Sequence, residues 1–279
     1  MSLADSLAAG GFTVALEITP PKSSLPRVLQ RRARLLGDAP GAINVIQRPD
    51  RQTSLEAAVE LRAAGIEPVW HLVTRGRSRA SLEADLASAH AAGIHNILCI
   101  RGDHDTAEPD QVTIRDTCEA ASRNPGALVG ATLNQYVADR AAVLRNLVPK
   151  LRAGARYVQT QPVFDLEALR PVAESVLDAS PGTRIVAMAM PLTSLEAATR
   201  IESRLGVALP PSIRARLSSG DEDAPWDAFA ETLAALVESP LVSGVALMTF
   251  EIDASPETAA RMLAALRAAG ALPTSGAIS

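Results

Sequence analysis

Glu17 stands near the C-terminal end of an otherwise apolar run, Val14-Ala-Leu-Glu-Ile18, which is followed by Thr19-Pro-Pro-Lys22. A carboxyl at the end of a buried strand is costly to ionise unless it is paired or its pKa is raised. Held protonated near neutral pH, it is a general acid; paired with a nearby arginine, it is a structural carboxylate. Polar residues stand at the same place in other apolar runs: Gln47, His71, Asp103, Asn134, Gln161, and Glu251 just past the last run. In Arg101-Gly102-Asp103, glycine lets the backbone turn sharply or approach a ligand, and Asp103 can hold a polar ligand edge or bias a cofactor ring. His104 and Asp105 follow, but adjacent side chains point apart and there is no His-x-x-x-His pair, so no metal site is expected. His71 can hydrogen-bond a phosphate or a ring, or be a satisfied structural histidine. Arg75-Gly-Arg-Ser-Arg79 offers three guanidinium groups at a helix start, to a phosphate or to surface carboxylates. The Gln161 amide offers one donor group and one acceptor to a heterocycle. Phe164 can form an apolar wall or pack in the core, Asp165 caps the next helix, and Lys150 is a cation near a helix C-terminus. No Gly-x-Gly-x-x-Gly loop occurs, so a Rossmann dinucleotide site is unsupported.

These residues need a scaffold, and the chain has a beat that supplies one. Eight apolar runs, at 12–18, 42–47, 67–73, 96–101, 127–133, 157–161, 184–190 and 244–250, alternate with helical patterns. The helical patterns fall at 25–36, 52–64, 78–92, 110–123, 137–153, 165–179, 192–205 and 224–238, with a last one at 256–269. Near-continuous runs such as 97–100 suit parallel strands covered on both faces. Eight such units predict an α/β fold, a (β/α)8 TIM barrel, whose C-terminal rim carries the chemistry. The barrel spans about 11–270 of a single domain covering 1–279, with a leader at 1–10 and a frayed tail after 272. Ser54 with Glu56, Ser81 with Glu83 and Ser194 with Glu196 read as helix starts. An insertion at 205–223, with a short helix near 211–217 and an acidic loop, interrupts the beat between strands 7 and 8. It is placed to cap the barrel or cover a ligand.

Composition narrows the class. Hydrophobic residues make up 47% of the chain, enough for a large core. With 27 basic and 31 acidic residues, the net charge of −4 gives no reason to expect nucleic acid or a membrane surface as a partner. Cys99 lies inside an apolar run and neither it nor Cys118 has metal spacing, which suits buried thiols in a reducing compartment. No run is long enough to span a bilayer and no secretory signal is evident, so the expectation is a cytoplasmic enzyme. A homo-oligomer is compatible with the sequence.

Taken together, the motifs resemble the methylenetetrahydrofolate reductase family. The matching pieces are Leu16-Glu-Ile-Thr-Pro-Pro21, His71-Leu72, Gly93-Ile94 leading to Arg101-Gly102-Asp103, Val129-Gly-Ala131, Lys150-Leu-Arg-Ala-Gly-Ala155, Thr160-Gln-Pro-Val-Phe-Asp165 and Met190-Pro-Leu-Thr-Ser194. The resemblance implies NAD(P)H-dependent reduction of 5,10-methylenetetrahydrofolate to 5-methyltetrahydrofolate, with FAD carrying the hydride. It implies that Glu17 is the acid that opens the folate ring to the N5 iminium, and that Asp103 sits between pterin and flavin. It further implies that Gln161, with Asp103 and Phe164, meets the folate, and that His71, Arg101, Gly102, Asn146 and Lys150 hold the flavin. The chain departs from the family pattern at Ile46-Gln47, where a threonine is usual. It departs also at Leu133, where an aromatic is usual, and at Val143, where an acid is usual. Aromatic residues total only 3%. These departures fall on the flavin half of the site. The alternatives are a flavin-independent reductase of the same substrate and a folate-binding partner subunit lacking reductase activity.

Overall fold

The computed structural model describes residues 3–102 and 111–272; Asp103, His104 and Asp105 therefore lie outside the described residues. The chain enters through α1 (Leu3–Ala8), a helix within the expected leader. Then β1 (Thr13–Ile18), α2 (Pro26–Ala33), β2 (Ala42–Val45), α3 (Ser54–Ala63), β3 (Pro68–Val73), α4 (Arg79–Ala91) and β4 (Asn96–Ile100) alternate. The second half continues with α5 (Ile114–Ser122), β5 (Leu128–Leu133), α6 (Arg140–Arg152), β6 (Tyr157–Pro162), α7 (Leu166–Ala179) and β7 (Arg184–Ala189). It ends with α8 (Leu195–Leu205), α9 (Pro211–Leu217), α10 (Ala224–Glu238), β8 (Gly244–Leu247) and α11 (Pro256–Ala268). The eight strands pair in sequence order, and β8 returns to pair in parallel with β1, closing the expected (β/α)8 barrel.

The strands read as continuous apolar runs because each of their faces meets a different core. Leu16, Val45, Trp70, Ile97, Val129, Val158, Ile185 and Val245 point outward to the helices. Alternate residues Ala15, Ala42, Val69, Leu98, Tyr157, Val186 and Ala246 fill the lumen early in the strands, where Leu3 and Leu7 of α1 pack beneath them. The N-terminal end of the barrel is thus plugged, which leaves the C-terminal mouth for a ligand. The small residues of this layer make room for Tyr157. A Cβ on Gly130 would lie 2.3 Å from Tyr157 Cζ, inside the ring. We expect Gly130→Ala to destabilise the fold by roughly 1–3 kcal/mol, read as a lower urea midpoint; an unchanged midpoint would mean the ring has space to move.

Two strand ends and two helix starts fall elsewhere than the sequence suggests. Strands β2 and β8 end at Val45 and Leu247, before the ends their apolar runs suggest, and Ile46, Met248 and Phe250 beyond them line the mouth cavity. Thr53, not Ser54, caps α3, forming a reciprocal box with Glu56. Ser54 instead donates to His71 O (2.9 Å) and to Gln47 Oε1 (3.0 Å), so Gln47 ties a loop to the start of α3. Likewise Ser78, not Ser81, caps α4, whereas Ser194 caps α8 as expected.

The largest departure concerns the helix after β7. α10, not α8, packs on α7, β8 and α11, and so takes the wall position between β7 and β8. α8 and α9 form a separate apolar cluster in which Ala197, Ala198, Ile201 and Leu209 join Phe164, Met190 and Leu192. Arg200, Ile201 and Arg204 of α8 share a cavity lining with Glu17. The inserted unit therefore begins with α8 itself and lies over the mouth. No helix among the described residues is long and apolar enough to cross a membrane.

Candidate active site

Two residues above the apolar lumen layer, the same strand faces turn polar. Glu17 follows Ala15, Asn44 follows Ala42, His71 follows Val69 and Gln159 follows Tyr157, and the side-chain period of two keeps each of them in the lumen. Glu17 and Asn44 are register partners across β1 and β2. Gln159 reaches both of them across the lumen, accepting from Asn44 Nδ2 at 2.8 Å and donating to Glu17 Oε2 at 3.3 Å.

Burial raises the Glu17 carboxyl to about 7, against the lowering effects of the Gln159 amide and of the Arg204 and Arg48 charges. Near neutral pH this group therefore exists in both protonation states, as a general acid must. His71 is only 3% exposed. Burial drives its pKa down to about 3, so the imidazole is neutral, and its Nε2 has no hydrogen-bond partner among the described residues.

Glu17 opens into a cavity of about 1030 Å³ at the mouth, between the ends of β1, β2 and β8 and the helices α2, α8 and α11. Ile46, Met190, Met248 and Phe250 supply apolar wall, and arginines from α2, α8 and the loop after β2 supply positive charge. Arg31 and Arg32 are held by Asp253 at 3.0 and 2.7 Å, and Arg200 stacks over the Phe250 ring with its carbon 5.7 Å from the centroid. An apolar cleft with a few convergent polar groups and a shifted carboxyl has the form of a small-molecule site.

The other residues singled out from the sequence fall in different places. Gln161 is half-buried on β6, beyond a register shift between Gln159 and Pro162. Its backbone is bracketed by Gln135, which accepts from Gln161 N at 3.0 Å and donates to Gln161 O at 2.9 Å. Phe164 is buried with Met190, Leu192 and Ile201 beneath the inserted helices, outside the lining of the large cavity. Asp165 caps α7 through Glu167 N. Gly102 takes a φ of +88°, and a Cβ there would lie 2.6 Å from Val73 Cγ1, so the turn after β4 depends on glycine. Asn146 donates its amide to Ala142 O on its own helix. Lys150 is close enough to Arg101 to feel its charge, and it lies beside Cys99 and Cys118, both of them free and buried. Burial lowers the Lys150 pKa. Glu251 lines the large cavity, and Asn134 Oδ1 accepts from Tyr136 N in a turn.

A flavin is only partly matched by the described residues. Arg101 and Lys150 are two cations within electrostatic reach of each other, as a phosphate group requires. The Asn146 amide is already bonded, His71 is enclosed, and none of these four residues lines the mouth cavity beside Glu17. Among the described residues there is also no group of three or more His, Cys, Asp or Glu side chains able to hold a metal ion.

Asn44, Gln159, Arg48, Arg200 and Arg204 are the site residues that a reading of run ends overlooks. Asn44 and Gln159 carry a usable signal: each is a polar residue two positions from an inward-facing Ala42 or Tyr157. Arg200 and Arg204 carry none, because helix α8 reaches the mouth only through the tertiary fold, whereas Arg48 directly follows the run end at Gln47.

Fold and site together define a (β/α)8 barrel with a neutral-range carboxylic acid in a cationic mouth cavity. The sequence profile described as methylenetetrahydrofolate reductase matches residues 2–261, and the chain belongs to that family. Among solved structures, the fold is similar to that of an uncharacterised protein from Clostridium thermocellum that binds two copies of 5-methyl-5,6,7,8-tetrahydrofolic acid. The two are 14% identical over 95% of this chain and 99% of that one, with a TM-score of 0.70. It is also similar to the coenzyme F420 dependent tetrahydromethanopterin reductase from Methanopyrus kandleri, at 12% identity over 91% and 97% of the chains and a TM-score of 0.58. Phosphonopyruvate hydrolase has the same barrel at 14% identity, over 99% of this chain and 93% of that one, with a TM-score of 0.53. No curated protein sequence matches the chain.

Proposed function

We propose that this protein reduces 5,10-methylenetetrahydrofolate to 5-methyltetrahydrofolate, with a nicotinamide as the source of hydride. The observation that carries the reading is the Glu17 carboxyl, poised near neutrality in a mouth cavity of pterin-accommodating size, in a chain of this family. Methylenetetrahydrofolate is a poor hydride acceptor until its five-membered ring opens. A proton from Glu17 to N10 lets the N10–carbon bond break and leaves an N5 iminium. Hydride addition to that carbon gives the methyl group. The proton and the hydride together balance the reaction, and the protein's part is to place the acid and exclude water. The arginine-lined wall suits the carboxylates of a folate tail, and the two structural relatives that act on or bind reduced pterins support the substrate class.

In this reading Asp103 and Gln161 hold the pterin. Gln161→Ala should raise the folate KM about tenfold with little change in the nicotinamide KM, as measured by initial rates; equal changes in both constants would contradict the assignment.

Flavin supplies hydride transfer in the route the family uses, with Arg101 and Lys150 as candidate phosphate contacts. A second reading, direct transfer from nicotinamide to folate, is favoured by Ile46. It lines the cavity where the family pattern has a threonine, and it offers no hydroxyl to a flavin edge. A visible spectrum of the purified protein separates the two. A band near 450 nm is expected of a flavoprotein, and a colourless protein that still turns over establishes the direct route.

A further inference from the structure

A hydrogen-bonded relay crosses the lumen from β2 to β1 by way of β6. Asn44 Nδ2 donates to Gln159 Oε1 at 2.8 Å, and Gln159 Nε2 donates to Glu17 Oε2 at 3.3 Å. Asn44 and Gln159 are 2% and 3% exposed, so bulk water does not compete for their amides. An amide accepts only at its oxygen and donates only at its nitrogen. With its oxygen occupied by Asn44, Gln159 must turn its NH2 toward the carboxyl.

We propose that Asn44 and Gln159 are positioning residues that set the proton affinity of Glu17, Gln159 by holding an amide donor on the carboxylate and Asn44 by fixing which way that amide faces. The inference deepens the reading above and rests on Glu17 being the group that yields the proton. A donor stabilises the charged carboxylate and so opposes the rise that burial imposes. Without it, the acid would hold its proton to higher pH and release it less readily to N10.

The other charged and titratable groups around Glu17 lie outside the relay. Arg48 and Arg204 favour the carboxylate by charge. His71, across the lumen, remains neutral. Arg31 and Arg32 are bound to Asp253, and Arg34, Arg200 and Glu251 complete the charged lining of the cavity among the described residues.

The test is a pH titration of the Glu17 carboxyl by difference infrared spectroscopy, with the band assigned by its loss in Glu17→Gln. Gln159→Met keeps the volume and removes the donor. Asn44→Leu leaves Gln159 in place and removes its anchor, and either variant suffices if the other does not fold. The expected result is a midpoint raised above that of the unsubstituted protein by about one unit in Gln159→Met, and by less in Asn44→Leu. The alkaline limb of folate reduction should move with it. An unchanged midpoint in whichever variant folds overturns the proposal. The two levels separate cleanly. A raised midpoint in a protein that reduces no folate sinks the functional reading and leaves the relay standing. A fixed midpoint in an active enzyme does the reverse.

Discussion

Replacing Glu17 with glutamine should lower kcat for methylenetetrahydrofolate reduction by about 100-fold or more, the usual contribution of a positioned general acid. Glutamine keeps the shape and can still meet Gln159, so folate binding should persist and the folate Kd should change by no more than a few-fold. Nicotinamide oxidation by an artificial acceptor, which needs no proton at N10, should survive. Loss of both reactions would mean that Glu17 is structural. In the unsubstituted protein the acid is the active form, and its pKa of about 7 predicts that kcat/KM falls with rising pH above 7. A rate that stays level from pH 6 to 9 would remove Glu17 from the role.

The same substitution should stabilise the fold, in a pH-dependent way. The ordinary glutamate pKa is 4.5, and burial raises it to about 7 in the folded protein. Below about 4.5 the carboxyl is protonated in both folded and unfolded chains, and its ionisation has no effect on stability. Between 4.5 and 7 the unfolded chain releases the proton and the folded one retains it, so stability falls as pH rises. Above 7 both are ionised and the penalty is constant. A shift of this size corresponds to about 3–4 kcal/mol. Glu17→Gln, which cannot ionise, should therefore match the parent near pH 4.5 and exceed it by about that amount at pH 8 in urea unfolding. A gain of the same size at both pH values would assign the effect to packing rather than to the charge. A site that costs stability in the resting state is what a catalytic acid in a buried strand entails.

The barrel is legible because its cause is local. Parallel strands buried on both faces must be apolar throughout, and the stretches around Leu16, Trp70 and Val158 announce themselves in that way. Glu17 is legible for the converse reason, since an ionisable group in such a run needs an explanation. The inserted helix α8 is not legible as a cap. Its amphipathic pattern is that of a wall helix, and only the packing of Ile201 against Met190 and Phe164, with α10 filling the wall behind, reverses the assignment. The same limit hides Arg200 and Arg204, whose approach to Glu17 depends on where that helix lies. Gln159 was within reach of the period-two rule. It is masked by its neighbour Gln161, which has the stronger motif context and lies beyond a register shift where strict alternation fails. Phe164 follows the other of its two readings, since it packs in the apolar cluster under α8.

The most direct test is to incubate the purified protein with a nicotinamide and 5,10-methylenetetrahydrofolate, with and without added FAD, and to follow 5-methyltetrahydrofolate by mass spectrometry beside nicotinamide oxidation. The account predicts stoichiometric methyl product that depends on Glu17 and declines above pH 7. Tight folate binding without any methyl product under either condition would contradict it and leave a binding protein in its place.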